Sequence, residues 1–163
     1  MSNFYKDVLS VDARFTSTAV VRDLWMLEPF TRAAVQGIIA DAALKGIDLR
    51  ISETYRSKER QIMLFKQGAT KLQNVGVHHY GLACDFYKVI AGQPSWAGDW
   101  SFLRDLAEDH GLISGLDWGL PAVRHTFIDP DHVQYVSLAQ QNSLFAGTWY
   151  PEPVVNPNGN AVV

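Results

Sequence analysis

Three polar segments of the chain combine imidazole and carboxylate groups with apolar neighbours. They span residues 54–57, 78–85 and 129–132, and they contain His78, Asp85 and His132. Zinc prefers imidazole nitrogen and carboxylate oxygen, and a catalytic zinc site combines three protein ligands with one water. These three residues are therefore candidate zinc ligands. The helical His-Glu-x-x-His zinc motif is absent from the sequence, which excludes the common metalloprotease helix.

Two further residues could supply chemistry around such a metal. Hydrolysis needs a general base near the metal-bound water, and Asp129, three residues before His132, could reach back over the metal. Arg56 could stabilise the oxyanion of a tetrahedral intermediate. Spacing alone leaves alternatives open. Asp131 is a rival base, Asp129 could be a turn residue before Pro130, and Arg56 could be a surface salt-bridge partner.

The elements that must position these groups mix helices and strands without a regular alternation. Hydrophobic periodicity and end signals predict three helices, over residues 29–45, from Ser57 to about Gln67, and from Asp99 onward. Alternating apolar residues predict strands over residues 47–54, 81–89 and 132–136. Residues 69–77, 91–98 and 121–130 are typical of loops. This order favours an α+β domain with a small antiparallel sheet and helices packed on it.

The predicted strand over residues 81–89 separates two kinds of side chain. Successive strand residues point to opposite faces, so Cys84 and Phe86 share one face and Asp85 lies on the other. A carboxylate in an otherwise apolar strand is costly unless it is paired or bound to a metal. Cys84, the only cysteine, is expected to be a buried small hydrophobe, and the chain can form no intrachain disulfide.

Length and composition bound the class of protein. The chain has 163 residues and is 47% hydrophobic, which fits one folded domain. We expect a peptidase domain over residues 1–150, with an N-terminal arm over residues 1–26 and an irregular tail over residues 151–163. The net charge of -3 argues against a nucleic-acid partner, because phosphate binding needs a basic excess. The polar start indicates that the chain lacks a signal peptide and is made in the cytoplasm. No apolar run is long enough to span a membrane. We expect a monomer.

The combined motifs resemble one family of zinc peptidases. That family pattern has an Arg after a strand, a helix containing Gln, then Ser-x-His-x-x-Gly-x-Ala-x-Asp, and later a carboxylate three residues before a second His. This chain has Arg56 and Gln61, the run from His78 through Gly81 and Ala83 to Asp85, and Asp129 before His132. Across roughly residues 28–136, the chain is similar to the D-Ala-D-Ala carboxypeptidase and L-alanyl-D-glutamate peptidase family, which includes VanY-type and VanX-type enzymes and several phage endolysins.

The resemblance implies roles for individual residues. It implies His78, Asp85 and His132 as Zn2+ ligands, Asp129 as the base, and Arg56 as the residue that polarises the carbonyl. Gln61, Trp118 and His125 are candidate substrate-binding residues; as alternatives, Trp118 would be core and His125 an ordinary loop residue. Gly76 departs from the pattern where the family often has Ser, and residues 120–127 show no pattern that aligns.

The resemblance also implies the substrate, the stem peptide of peptidoglycan. The small size and the absent signal peptide resemble a phage or prophage endolysin, an enzyme that cuts between L-Ala and D-Glu and reaches the wall once the membrane is permeabilised. A D-Ala-D-Ala carboxypeptidase or dipeptidase is the alternative within the family. An alternative of another class is a wall-binding module without catalysis.

Overall fold

A computed structural model describes residues 3–152, which contain five helices and five strands. The predicted tail over residues 151–163 therefore lies almost wholly outside the described residues. The helices are α1 (Phe4–Asp7), α2 (Pro29–Leu44), α3 (Lys58–Lys66), α4 (Ser101–Asp109) and α5 (Leu138–Phe145). The strands are β1 (Leu49–Glu53), β2 (Ala83–Ile90), β3 (Gln93–Ser95), β4 (Ile113–Ser114) and β5 (His132–Gln134).

The strands form one antiparallel sheet, which confirms the predicted α+β architecture. The order is β1-β2-β5-β4, and β3 pairs with the far end of β2 as a hairpin. Helices α2 and α4 pack on one face of this sheet. The main hydrophobic core lies there and contains, from the helices and the strands, Val35, Ile38, Leu103, Leu106, Leu49, Cys84, Phe86 and Val133. We call this side the core face and the other side of β2 the open face.

The register of the central strand decides which residues reach the open face. Directly opposite residues of an antiparallel pair point to the same side, and Asp85 lies opposite both Glu53 of β1 and His132 of β5. A shift of register between Ile51 and Glu53 is a bulge in β1. Simple alternation from Leu49 would have sent Glu53 to the core face. The bulge places it beside Asp85 instead.

The helix ends follow the predicted signals closely. Pro29 occupies the first turn of α2, and the Ser57 hydroxyl accepts a hydrogen bond from the Arg60 amide at the start of α3. At α4 the cap residue is Trp100, although the Asp99 carboxylate accepts a hydrogen bond from the Ser101 amide at 2.9 Å. The end of each predicted helix thus agrees with the structure to within one or two residues.

Four elements were not predicted, namely α1, β3, β4 and α5. The Gly- and Pro-containing segment over residues 91–98 was expected to be only loop, but it contains β3. Helix α5 follows β5 and begins with a capping box between Ser137 and Gln140. His78 also lies outside the predicted strand, on a 3-10 turn (Val77–Tyr80) that precedes β2.

The N-terminal arm packs against the segment that carries the candidate ligands. Val21 pairs with Tyr55 in an isolated β-bridge, and the Tyr55 hydroxyl donates a hydrogen bond to the Phe15 carbonyl at 2.9 Å. Buried His79 lies among these rings, with Nε2 3.0 Å from the Tyr5 hydroxyl. The arm therefore braces the turn next to His78.

Candidate metal centre

Two imidazoles and one carboxylate converge at the open face of the sheet. Asp85 of β2 and His132 of β5 are a direct cross-strand pair, and the 3-10 turn before β2 brings in His78. Asp85 Oδ1 lies 3.1 Å from His78 Nε2 and 2.8 Å from His132 Nδ1. One potential ligand atom from each of the three residues lies within 4.8 Å of the others.

The outer nitrogen of each ring faces a hydrogen-bond acceptor. His78 Nδ1 lies 3.0 Å from the Thr54 carbonyl oxygen, and His132 Nε2 lies 3.0 Å from Gln134 Oε1. The Gln134 amide nitrogen donates to the Val136 carbonyl, which fixes the amide so that its oxygen faces His132. A proton on each outer nitrogen leaves the inner nitrogen, Nε2 of His78 and Nδ1 of His132, able to bind a metal when the ring is neutral.

The Asp85 carboxylate and the two imidazoles favour a positive charge at the point where they meet. Burial by itself raises the pKa of the Asp85 carboxyl, but the charge of His78 and hydrogen bonds from both rings hold that pKa well below its usual range. Burial lowers the pKa of His132, but the hydrogen bond to Asp85 and the negative charges of Asp85 and Asp129 together outweigh burial and raise it. A carboxylate and two imidazole lone pairs are all acceptors, so a cation at their centre satisfies all three.

The donor set therefore fits a divalent ion. Nitrogen and oxygen atoms 2.8 and 3.1 Å apart can share one ion at zinc–ligand bond lengths of about 2.0–2.2 Å. The acceptors behind His78 and His132 are the outer partners that metal-bound imidazoles ordinarily have. Three protein ligands leave a fourth position for water or substrate.

A buried ionic network holds the second oxygen of Asp85. Arg56 Nη2 lies 3.0 Å from Asp85 Oδ2 and 2.5 Å from Glu53 Oε2, and Arg56 Nε lies 2.9 Å from the same Glu53 oxygen. Arg60 Nε lies 2.5 Å from Glu53 Oε1. Burial lowers the pKa of Arg56, but Asp85 and Glu53 together raise it, which keeps the guanidinium charged. Sequence analysis missed Glu53, because the bulge that brings it to this face leaves no pattern in the sequence.

Asp129 is fixed through its backbone. Its amide donates a hydrogen bond to the Gly115 carbonyl at 3.2 Å, and its own carbonyl accepts one from the His132 amide at 3.2 Å. A Cβ at residue 115 would overlap the Asp129 carbonyl, so this close approach requires glycine. The segment before β5 is thereby pinned to the segment after β4.

Asp131 lies close to Asp129. Burial, the negative charges of Asp129 and Asp85, and a hydrogen bond with Asp129 together raise the pKa of Asp131 to about 7. The Asp131 carbonyl accepts a hydrogen bond from the Phe86 amide at 3.0 Å, which ties this segment to β2. The structure therefore places a pair of carboxylates beside the candidate ligands, as a general base would require.

Comparison with known proteins connects this site to a family. No family model matches the sequence. The peptidoglycan L-alanyl-D-glutamate endopeptidase CwlK of Bacillus subtilis (strain 168) is 33% identical over 111 residues, a match that covers 56% of this chain and 66% of that relative. The chain thus spans just under two thirds of that relative's length.

Solved structures share the fold. The L-Ala D-Glu endopeptidase ChiX of Serratia marcescens has a TM-score of 0.54 at 22% identity, covering 72% of this chain and 89% of that chain. The LD-carboxypeptidase LdcB has a TM-score of 0.53 at 20% identity, and the match covers 74% of this chain and 64% of LdcB. The vancomycin-resistance D,D-pentapeptidase VanY, solved with Zn(II), has a TM-score of 0.51 at 14% identity. The match covers 74% of this chain and 78% of VanY.

These similarities agree with the zinc D-Ala-D-Ala carboxypeptidase and L-alanyl-D-glutamate peptidase family that the motifs resemble. The resemblance stated from the motifs is thereby confirmed. In this chain the motif from His78 to Asp85 forms the 3-10 turn and the start of β2, and the Asp129–His132 motif leads into β5.

The three candidate substrate-binding residues lie in different surroundings. Gln61 is buried, and its amide donates to the Leu72 carbonyl at 2.6 Å, so it anchors the segment after α3. The Trp118 ring contacts His132 edge-on, with centroids 5.2 Å apart, and its buried indole N–H has no partner among residues 3–152. His125 is exposed, and its amide donates to the Trp118 carbonyl at 2.7 Å.

Proposed function

We propose that this protein is a zinc-dependent peptidase that cleaves the L-Ala–D-Glu bond in the stem peptide of peptidoglycan. The observation that carries the proposal is the convergence of His78, Asp85 and His132 on one point of the open face, with their outer partners in place. The choice of bond is supported by the activities of CwlK and ChiX, which are both L-alanyl-D-glutamate endopeptidases.

The proposed mechanism uses the residues around the site. His78, Asp85 and His132 would hold a zinc ion, which would supply Lewis-acid chemistry at this point. Asp129 accepts the proton of the attacking water and returns it to the leaving amine. Asp131 is the rival base, because its carboxyl shares a hydrogen bond with Asp129.

Arg56 has two tasks in this proposal. Its contact with Asp85 Oδ2 orients the carboxylate so that the other oxygen faces the two imidazoles. Its Nη1 is 3.4 Å from Gln61 Oε1, a longer contact than those its other nitrogens make with carboxylates. We assign this nitrogen to the developing negative charge of the scissile carbonyl. We keep Gln61, Trp118 and His125 as substrate-binding candidates; the unpartnered indole N–H makes Trp118 the strongest of them.

Product analysis tests the choice of bond. Purified peptidoglycan is digested with the zinc-loaded protein, and the fragments are identified by mass spectrometry. New N-terminal D-Glu supports the endopeptidase. Release of D-Ala instead identifies the D-Ala-D-Ala carboxypeptidase or dipeptidase. Wall that stays intact while the protein sediments with it identifies a binding module, and this outcome contradicts the enzymatic proposal.

We also propose that the protein acts as an endolysin and as a monomer, through a catalytic domain over residues 1–150. No helix within residues 3–152 is long and apolar enough to cross a membrane. On the endolysin proposal, cytoplasmic expression lyses a sensitive host only after the membrane is permeabilised. Lysis without permeabilisation would contradict this route, and light scattering that reports a dimer would contradict the monomer.

A further inference from the structure

The open face continues beyond the metal centre and carries two aromatic rings. Tyr87 lies two residues after Asp85 on β2 and so points to the same face. Trp96 directly follows β3, whose Ser95 pairs with Lys88 of β2. The ring centroids of Tyr87 and Trp96 are 5.7 Å apart with an interplanar angle of 42°, and Trp96 is 52% exposed.

The opposite direction along β2 is closed. Ala83 and Gln134 are paired there, and both are buried. Beside the metal centre, Trp118 packs against His132. A substrate that extends along the open face from the candidate ligands therefore runs toward Tyr87 and Trp96.

The distance from the ligands to the aromatic pair is short. Two residues of a strand span about 7 Å, so Tyr87 lies about that far from Asp85. In peptidoglycan, the amine of L-Ala is joined to the lactyl group of muramic acid. The carbonyl of the L-Ala–D-Glu bond is thus separated from the sugar by one residue and a short ether-linked acid, also about 7 Å at the reach of an extended chain.

The same arithmetic separates the two candidate bonds. The D-Ala-D-Ala bond lies three residues farther along the stem peptide, which adds about 10 Å between the scissile carbonyl and the sugar. An aromatic pair about 7 Å from the metal centre therefore matches the muramyl ring only when the enzyme cuts next to L-Ala.

We propose that Tyr87 and Trp96 form a subsite for the muramyl pyranose ring of peptidoglycan, next to the scissile bond. The proposal rests on the L-Ala–D-Glu specificity proposed above. Aromatic faces are electron-rich and contact the polarised C–H groups of a sugar ring. Arg50 lies opposite Tyr87 in the sheet register and pairs with Asp48 at 2.6 Å. The guanidinium and the carboxylate are therefore available beside Tyr87 to bind the hydroxyl and acetamido groups of the sugar.

A purely structural role for the pair makes a different prediction. Cross-strand aromatic contacts stabilise a hairpin, and their loss would lower stability without regard to the substrate. A sugar subsite instead affects only substrates that carry the sugar. The decisive experiment therefore compares two substrates on the same protein.

The experiment uses one stem peptide in two forms, with either an N-acetylmuramyl group or a plain acetyl group on L-Ala. We expect the zinc-loaded full chain to have a kcat/KM about tenfold higher for the muramyl form. Trp96→Ala and Tyr87→Ala should bring this ratio close to one by lowering turnover of the muramyl form alone. Trp25→Ala, which removes a 66% exposed tryptophan on the N-terminal arm, is the matched control and should keep the wild-type ratio.

Two kinetic outcomes contradict the subsite. One is a ratio near one in the wild-type protein. The other is an equal loss on both substrates in the Trp96 and Tyr87 variants, which would show that the pair only shapes the metal centre.

A protein that cleaves neither peptide would refute the proposed function, and binding then decides the subsite separately. Titration with N-acetylmuramyl-L-Ala should change the tryptophan fluorescence of the wild type and of Trp25→Ala, but not that of Trp96→Ala. The absence of a change in the wild type, or its persistence in Trp96→Ala, would overturn the proposal.

Discussion

At its centre, strand β2 carries different chemistry on its two faces. On the core face, Cys84 and Phe86 are fully buried beneath α2 and α4 together with Val133 of β5. On the open face, Asp85 and His132 meet polar and charged groups. Strand alternation places an apolar side chain directly beside each functional one.

This difference separates stability from chemistry. Apolar side chains that leave water supply the driving force for folding, and they lie on the core face. The open face buries charges that require partners, and a buried ion pair is weak evidence for stability. Substitutions on the two faces should therefore differ in what they damage.

The largest effect is expected from removal of the carboxylate ligand. Asp85→Ala takes away the oxygen that both imidazoles face, so the protein should lose bound zinc, and hydrolysis should fall to background. Metal content by mass spectrometry and turnover of peptidoglycan measure both. Asp105→Ala, an exposed carboxylate on α4, is the control and should leave both unchanged. Full activity in Asp85→Ala would break the distinction between the faces.

Removal of the proposed base should separate metal binding from turnover. Asp129→Asn should keep zinc but lower kcat by about 10²- to 10⁴-fold, the usual contribution of a general base. Asp131→Asn is measured in parallel, because the two carboxyl groups share a hydrogen bond. A larger loss in Asp131→Asn than in Asp129→Asn would transfer the role of base to Asp131.

A substitution on the core face should damage stability instead. Phe86→Ala removes a fully buried ring and should lower the free energy of unfolding by about 3–5 kcal/mol. Urea unfolding measures the loss, and Phe86→Leu should lose less because it keeps more of the volume. Turnover per folded, zinc-loaded molecule should stay near the wild-type value. A selective loss of turnover without a loss of stability would contradict the division between the faces.

The smallest effect is expected from the network behind Asp85. Glu53→Gln removes the charge that Arg56 and Arg60 share, so Asp85 should be less well oriented. Outer partners of metal ligands typically contribute about 10- to 100-fold in metal affinity or activity. Zinc affinity by competition with a chelator measures the change. Glu59→Gln, at an exposed position of α3, is the control. Equal zinc affinity in the two variants would contradict a role of Glu53 in orienting Asp85.

The sequence predicted the convergence of ligands more fully than their surroundings. His78, Asp85 and His132 stand in motifs that are visible in the chain, and the strand pattern placed Asp85 opposite the core. Glu53 was missed because a bulge changes the face of a residue without changing the alternation around it.

The missed elements have similar causes. Strand β3 contains Pro94 and is stabilised by pairing with β2, which local propensity does not report. Helix α5 lacks a strong apolar stripe. Its capping box, Ser137 with Gln140, was the one signal in the sequence that could have revealed it.

The central claim is that two imidazoles and one carboxylate hold a single ion on the open face. Crystals of the zinc-loaded protein, measured on both sides of the zinc absorption edge, test it most directly. The account predicts one anomalous peak about 2.0–2.2 Å from His78 Nε2, Asp85 Oδ1 and His132 Nδ1. The absence of a peak there, or a peak bound by other residues, would contradict it.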